Sequence, residues 1–164
     1  MSETEKSSEN LLQTLELTHE HLFDMVVLLQ APTAIGNTPK GNRQILLGDS
    51  GSFKGERLQG SIQPYGADWF LVRPDGVGEL DVRVTLQTDD DALIYMRSEG
   101  FLKYSRENAK KVLSGEADPS EYYFRERTVF ETGSDKYNWL NSIVAVGTGW
   151  YRPGAVGMSI YELK

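Results

Sequence analysis

The segment Glu79–Gln87 reads Glu-Leu-Asp-Val-Arg-Val-Thr-Leu-Gln, so an acid and a base sit two residues apart. Period-two alternation places Asp81, Arg83 and Thr85 on one face of a strand and Leu80, Val82, Val84 and Leu86 on the other. On a surface strand the polar face is simply solvated, and Asp81 and Arg83 pair with each other or across to a neighbour. In a closed barrel the same face would line a pocket, where low dielectric strengthens the pair and shifts its pKa values. Residues of the same kinds lie nearby: Asp68-Trp69 before it, Tyr95 in the next run, and Tyr137, Trp139 and Asn141 further on. Carboxylates, a guanidinium and phenols suit proton transfer beside a carbonyl. Asp68 or Asp81 removes a proton, and Arg83 or the Tyr137 hydroxyl stabilises the enolate oxygen. Trp69, Tyr95, Trp139 and Asn141 are then the candidate substrate-binding residues. Each has a plain structural alternative: tryptophans are usually core, and Tyr137 beside the Gly133 turn can hydrogen-bond to backbone.

Other chemistries are poorly supplied. The chain has no Cys, which removes thiol nucleophiles, disulfides and iron–sulfur ligands together. Its two His lie in His19-Glu20-His21, one residue apart, without the longer spacing of a helical zinc-peptidase motif. They read as polar strand or loop residues, and no metal is expected. Asp89-Asp90-Asp91 lacks the spacing of a calcium loop and reads as a solvated turn. There is no G-x-S-x-G elbow, no P-loop and no G-x-G-x-x-G. The expectation is chemistry without a cofactor.

Charge and hydropathy narrow the partners. A net charge of -7 argues against a phosphate-tracking nucleic-acid binder. No apolar run approaches the roughly 18 residues of a membrane span, and no signal-peptide pattern opens the chain. A soluble cytoplasmic protein is expected.

The elements that must position these residues are mostly strands. Met1–Asn10 is charged and serine-rich and reads as a disordered tail, leaving residues 11–164 as one domain. Leu22–Leu29 suggests a buried strand. Further short runs follow at Gln44–Leu47, Arg57–Gln63, Trp69–Arg73, Glu79–Thr88, Leu93–Ser98, Tyr123–Phe130, Asn141–Gly147 and Val156–Glu162. Turn signals such as Pro64-Tyr65-Gly66 and Pro74-Asp75-Gly76 separate them, the pattern of an antiparallel sandwich or barrel. One helix interrupts the series over Arg106–Leu113, with Ser105 as N-cap and Gly115 just past its end.

Several segments together resemble the bacterial and fungal proteins of domain-of-unknown-function family 3237, also called UPF0311. They are Gly36–Arg43, Gly51-Ser52-Phe53-Lys54-Gly55, Leu58-Gln59-Gly60, Gly66-Ala67-Asp68-Trp69, Asp75-Gly76, Leu80-Asp81-Val82-Arg83, Thr88-Asp89-Asp90, Thr132-Gly133 and Tyr137–Asn141. The resemblance implies a mainly β fold: a single antiparallel β-barrel like that of allene oxide cyclases and calycins, with one short helix near 105–114. It also implies oligomers and no fixed cofactor. Two departures stand out. Asp91 occupies a position where the family generally has Gly, and Ser134-Asp135-Lys136 replaces a more usual Asp-Pro-Arg.

Two functions follow from this inventory. One is a cofactor-independent isomerase or lyase/hydratase that moves protons on a small, fairly apolar carbonyl compound. The other is a non-catalytic barrel that carries or sequesters a small molecule. Buried carboxylates with shifted pKa values would favour the first, and an apolar lumen the second. The apolar Leu80-Val82-Val84-Leu86 face, if outward, would be covered by a partner subunit, so a homodimer is expected.

Overall fold

The computed structural model describes residues 8–164. Most of the expected tail, Met1–Asn10, lies outside the described residues. Ser8–Leu11 forms a 3-10 turn, and residues 12–18 lead without regular structure to the first strand.

Eleven strands make one antiparallel sheet. They are β1 (His19–Leu29), β2 (Thr33–Thr38), β3 (Gly41–Lys54), β4 (Gln59–Ile62), β5 (Ala67–Asp68) and β6 (Leu71–Val72), then β7 (Gly78–Thr88), β8 (Leu93–Lys103), β9 (Tyr123–Glu131), β10 (Ala145–Arg152) and β11 (Ala155–Leu163). The path runs β1-β11-β10-β9-β8-β7-β4-β3, and β3 pairs back onto β1. That last pairing closes an eight-stranded barrel. The long β3 makes closure possible: its C-terminal half joins β4 to β1, while its N-terminal half carries the β2 hairpin and pairs with the short β5 and β6.

Alternation decides which side chains enter the barrel. In β9, Phe124, Glu126, Thr128 and Phe130 are buried while their neighbours are exposed. In β7, Leu80, Val84 and Leu86 are buried. The polar face of β7, considered above as a pocket lining, is therefore the outer one. The physical reason is that the apolar face gains more by leaving water than the charged face could. This also corrects the argument for a partner: the Leu80-Val82-Val84-Leu86 face needs no second subunit to cover it.

One end of the barrel is solid. Phe23 packs edge-on against Phe53 and Phe130, with centroids 5.5 and 6.0 Å away. Burying one such ring is worth about 1.5–3 kcal/mol. A 3-10 turn at Asn138–Ser142, which takes in the first two residues of the predicted Asn141–Gly147 strand, closes this end with Leu140 beneath it. Asn141 stabilises that turn: its Oδ1 accepts from the Thr132 amide at 2.8 Å and its Nδ2 donates to the Thr132 carbonyl at 2.9 Å.

The other end is open and flanked by α1 (Ala109–Ser114). The helix starts later than the sequence predicts because Ser105–Asn108 forms a turn, with Ser105 Oγ accepting from the Asn108 amide at 3.2 Å. Gly115 ends it at φ 76°, the left-handed C-terminal conformation expected there. The predicted Trp69–Arg73 strand shortens to β6, and β5 forms just before it; each is inserted between β3 and β7. At the β7–β8 turn, Asp91 adopts φ 66°, a left-handed conformation that glycine takes most readily and aspartate more readily than most other residues. No described helix is long and apolar enough to cross a membrane.

Candidate functional site

Between the packed end and the mouth the barrel encloses a cavity of about 390 Å³. Its wall is mostly apolar: Met25 and Val27 of β1, Val82 and Val84 of β7, Met96 of β8, Phe124 of β9 and Met158 of β11 all line it. Two carboxyl groups enter that wall, from Asp68 and Glu126.

Asp68 is brought inward by its register. It lies between Leu46 of β3 and Val82 of β7, which both line the cavity. The Asp81 amide donates to Asp68 Oδ1 at 2.9 Å and so pins the carboxyl to the barrel wall. The residue is half-buried by accessible surface, yet its carboxyl is enclosed, because the surface it keeps borders the cavity. Burial pushes its pKa up to about 7, against the Asp81 amide hydrogen bond; the Asp81 charge adds to the rise and Arg43 opposes it.

Glu126 occupies an inward position of β9 opposite two glycines, Gly100 of β8 and Gly147 of β10. A Cβ on Gly147 would stand 3.0 Å from Glu126 Cγ and 3.2 Å from its Oε1; one on Gly100 would stand 2.8 Å from Glu126 Cβ. Gly147 thus leaves room for the glutamate side chain, while Gly100 lets the β8 and β9 backbones approach, since its Cβ would stand 2.0 Å from the Arg125 carbonyl oxygen. Thr128 Oγ1 donates to Glu126 Oε1 at 3.4 Å, and Thr128 is itself paired with Ser98 at 2.8 Å. Burial pushes the Glu126 carboxyl up to about 8; the hydrogen bonds from Ser98 and Thr128 oppose this, and repulsion by Asp68 adds to it.

Of the residues singled out in the sequence, Asp68 alone among the eight lines the cavity. Asp81 and Arg83 form an ion pair at 3.3 Å on the outer wall, and the Arg83 guanidinium lies over the Trp69 ring at 5.3 Å. Tyr95 is on the same outer face, opposite Thr85 and Glu131. Tyr137 is buried at the packed end, where its hydroxyl donates to Asp90 at 2.9 Å. Lys136, Thr88 and Tyr137 together hold that Asp90 carboxyl well below the usual range. Trp139 lies under Arg57, 3.5 Å from the guanidinium carbon, and Asn141 clamps the turn beside it. The expected cluster of eight thus divides between the lumen, the outer wall and the packed end. The facing of β7 turns Asp81 and Arg83 outward, whereas Tyr137, Trp139 and Asn141 belong to the turn at the packed end. Glu126 was not singled out, although its signal was visible: it interrupts the apolar face Phe124-Glu126-Thr128-Phe130 of an alternating segment.

His19 and His21 both pack edge-on against Tyr161, and His21 meets Asp24 at 3.0 Å. Among the described residues no cluster of three His, Asp or Glu side chains could hold a metal ion. A wider concavity of about 1230 Å³ takes in Glu79, Glu99, Phe101, Tyr123, Arg125 and Arg127, and Glu126, Gly100 and Gly147 line it as well. It is shallow, and its Glu99 already accepts from both Arg97 and Arg127. The lumen, enclosed and holding perturbed carboxyls, is the better candidate site.

Comparison with known proteins agrees with this barrel. A family model described as a protein of unknown function (DUF3237) matches residues 17–163. The chain belongs to that family. It is 35% identical over 151 residues to a UPF0311 protein of Clostridium acetobutylicum, covering 91% of this chain and 96% of that one. A β-barrel-like protein from Acinetobacter baumannii AYE superposes with a TM-score of 0.81 at 37% identity, covering 93% and 99% of the two chains. A Penicillium herquei protein described as an enzyme shares the fold at 19% identity, with a TM-score of 0.72 over 93% and 98% of the chains.

Proposed function

We propose that this DUF3237 protein is an isomerase or lyase that moves protons on a small, fairly apolar carbonyl compound, with Asp68 and Glu126 as its acid–base pair and no cofactor. The observation that carries the reading is the presence of two carboxyls, raised to about 7 and about 8, in an otherwise apolar enclosed cavity. A structural role would not require two such groups to face the same space, since isolated buried carboxyls are costly. Near pH 7 Glu126 is mostly protonated and Asp68 about half ionised. The Asp68 carboxylate then accepts a proton from the carbon next to the carbonyl: the C–H bond breaks and an O–H bond forms. The Glu126 carboxyl donates a hydrogen bond to the carbonyl oxygen as negative charge develops there. Return of the proton to a different carbon gives isomerisation. Loss of a β-hydroxyl, with Glu126 supplying its proton to form water, gives elimination.

The apolar bulk of the lining favours the second reading, a barrel that carries a ligand without changing it. One experiment separates them: exchange of the α-protons of 1-indanone in D₂O, followed by proton NMR. The account predicts protein-accelerated exchange that falls about 10²–10⁴-fold in Asp68→Asn and at least about 10²-fold in Glu126→Gln. Arg83→Met, on the outer wall, keeps the wild-type rate. Exchange no faster than in buffer, or insensitive to both lumen substitutions, overturns the catalytic reading.

A further inference from the structure

The lumen also restricts the charge of what can occupy it. No Lys, Arg or His lines the cavity. Arg43 is the cation that acts on Asp68, but its guanidinium is committed to the Trp69 carbonyl. On the Glu126 side the groups that face it are Ser98, Thr128 and Asp68. At the mouth, Asn42, Gln44, Tyr104 and Tyr151 add hydrogen-bonding groups, again without positive charge. The Tyr104 hydroxyl is pushed further from ionisation by burial.

We propose that the lumen binds an uncharged, largely apolar oxygen compound, a ketone or similar carbonyl, whose oxygen accepts from the protonated carboxyl of the Asp68–Glu126 pair. The inference rests on the reading of this cavity as the site, and it adds the exclusion of both anions and cations. A carboxylate, phosphate or sulfonate would leave water for a cavity with no counter-charge, facing carboxyls that repel it. An ammonium group would need an ionised partner, and at pH 6.5 both carboxyls are held mostly protonated. A neutral carbonyl needs neither change. It also fits the size, since a cavity of about 390 Å³ lies at the small end of ligand sites.

The test uses prodan, a neutral naphthyl ketone dye whose emission shifts to the blue in apolar surroundings. Saturable binding at pH 6.5 is expected, with displacement by neutral 2-acetylnaphthalene but not by naphthalene-2-sulfonate or 2-naphthylmethylammonium. The three competitors differ only in the polar substituent. Raising the pH to 9 ionises both carboxyls and removes the donor, so prodan affinity falls about tenfold in the wild type. Glu126→Gln keeps an N–H donor and holds its affinity at pH 9. Displacement by the sulfonate or the ammonium, an absent prodan signal, or a pH-independent affinity overturns the inference. If prodan binds as described while ketone exchange is absent, the catalytic reading fails and this one stands. If exchange occurs but the charged naphthalenes compete, the reverse holds.

Discussion

At the scale of single residues, Asp68 and Glu126 differ from the other carboxylates of the chain in what surrounds them. Asp90 is held low by a lysine and two hydroxyls at the packed end, whereas the two lumen groups are raised chiefly by burial. Their shift has a consequence for stability. Unfolded, both carboxyls titrate near about 4, and folded they do so at about 7 and about 8. Between these limits the native state binds more protons than the unfolded one, so stability falls as pH rises and levels off above about 8. The wild-type melting temperature is therefore expected to drop between pH 5 and 9, and the Asp68→Asn/Glu126→Gln double variant to follow a flatter curve. A wild-type melting temperature that rises over this range, or equal slopes in the two proteins, contradicts the assignment. Asp68 could be picked from the sequence by type and by its place at the head of a run. Its inward direction could not, because that depends on pairing with Leu46 and Val82, distant in the chain.

At the scale of elements, most strands were legible, and the way they face was legible only in part. The alternation of β7 divides polar from apolar residues correctly, but a period of two assigns no face to the interior. Burial decides that, and it turned Asp81 and Arg83 outward. β9 shows the better use of the same signal: on a strand whose other inward residues are Phe124, Thr128 and Phe130, Glu126 is the exception that marks a site. The flanking strands accommodate it with glycine, which fixes a further prediction. In Gly147→Ala the new methyl would press on the Glu126 carboxyl and on Ile160 Cδ1, 2.9 Å away. Glu126 is the end of a flexible side chain and yields, so the barrel folds while ketone exchange drops at least about tenfold. Circular dichroism and the exchange rate check this together. A folded Gly147→Ala protein with the wild-type rate would show that Glu126 is not positioned by its glycine cradle.

At the scale of the whole molecule, closure is what turns two side chains into a site. The pairing of β3 with β1 joins the sheet ends, so Asp68 from β5, between β3 and β7, and Glu126 from β9 come to face one enclosed volume. No local sequence feature carries that contact; recognition of the family supplied the barrel before the structure did. The packed aromatic end holds one side rigid, and the mouth beside α1 leaves the other accessible. This enclosure keeps the two carboxyls protonated to unusually high pH. Carbon-13 NMR of protein labelled at Asp Cγ and Glu Cδ, titrated from pH 3 to 10 and assigned with Asp68→Asn and Glu126→Gln, tests it directly. Two steps are expected, at about 7 for Asp68 and at about 8 for Glu126. Titration of both groups below about 5, in the ordinary carboxylate range, would contradict it.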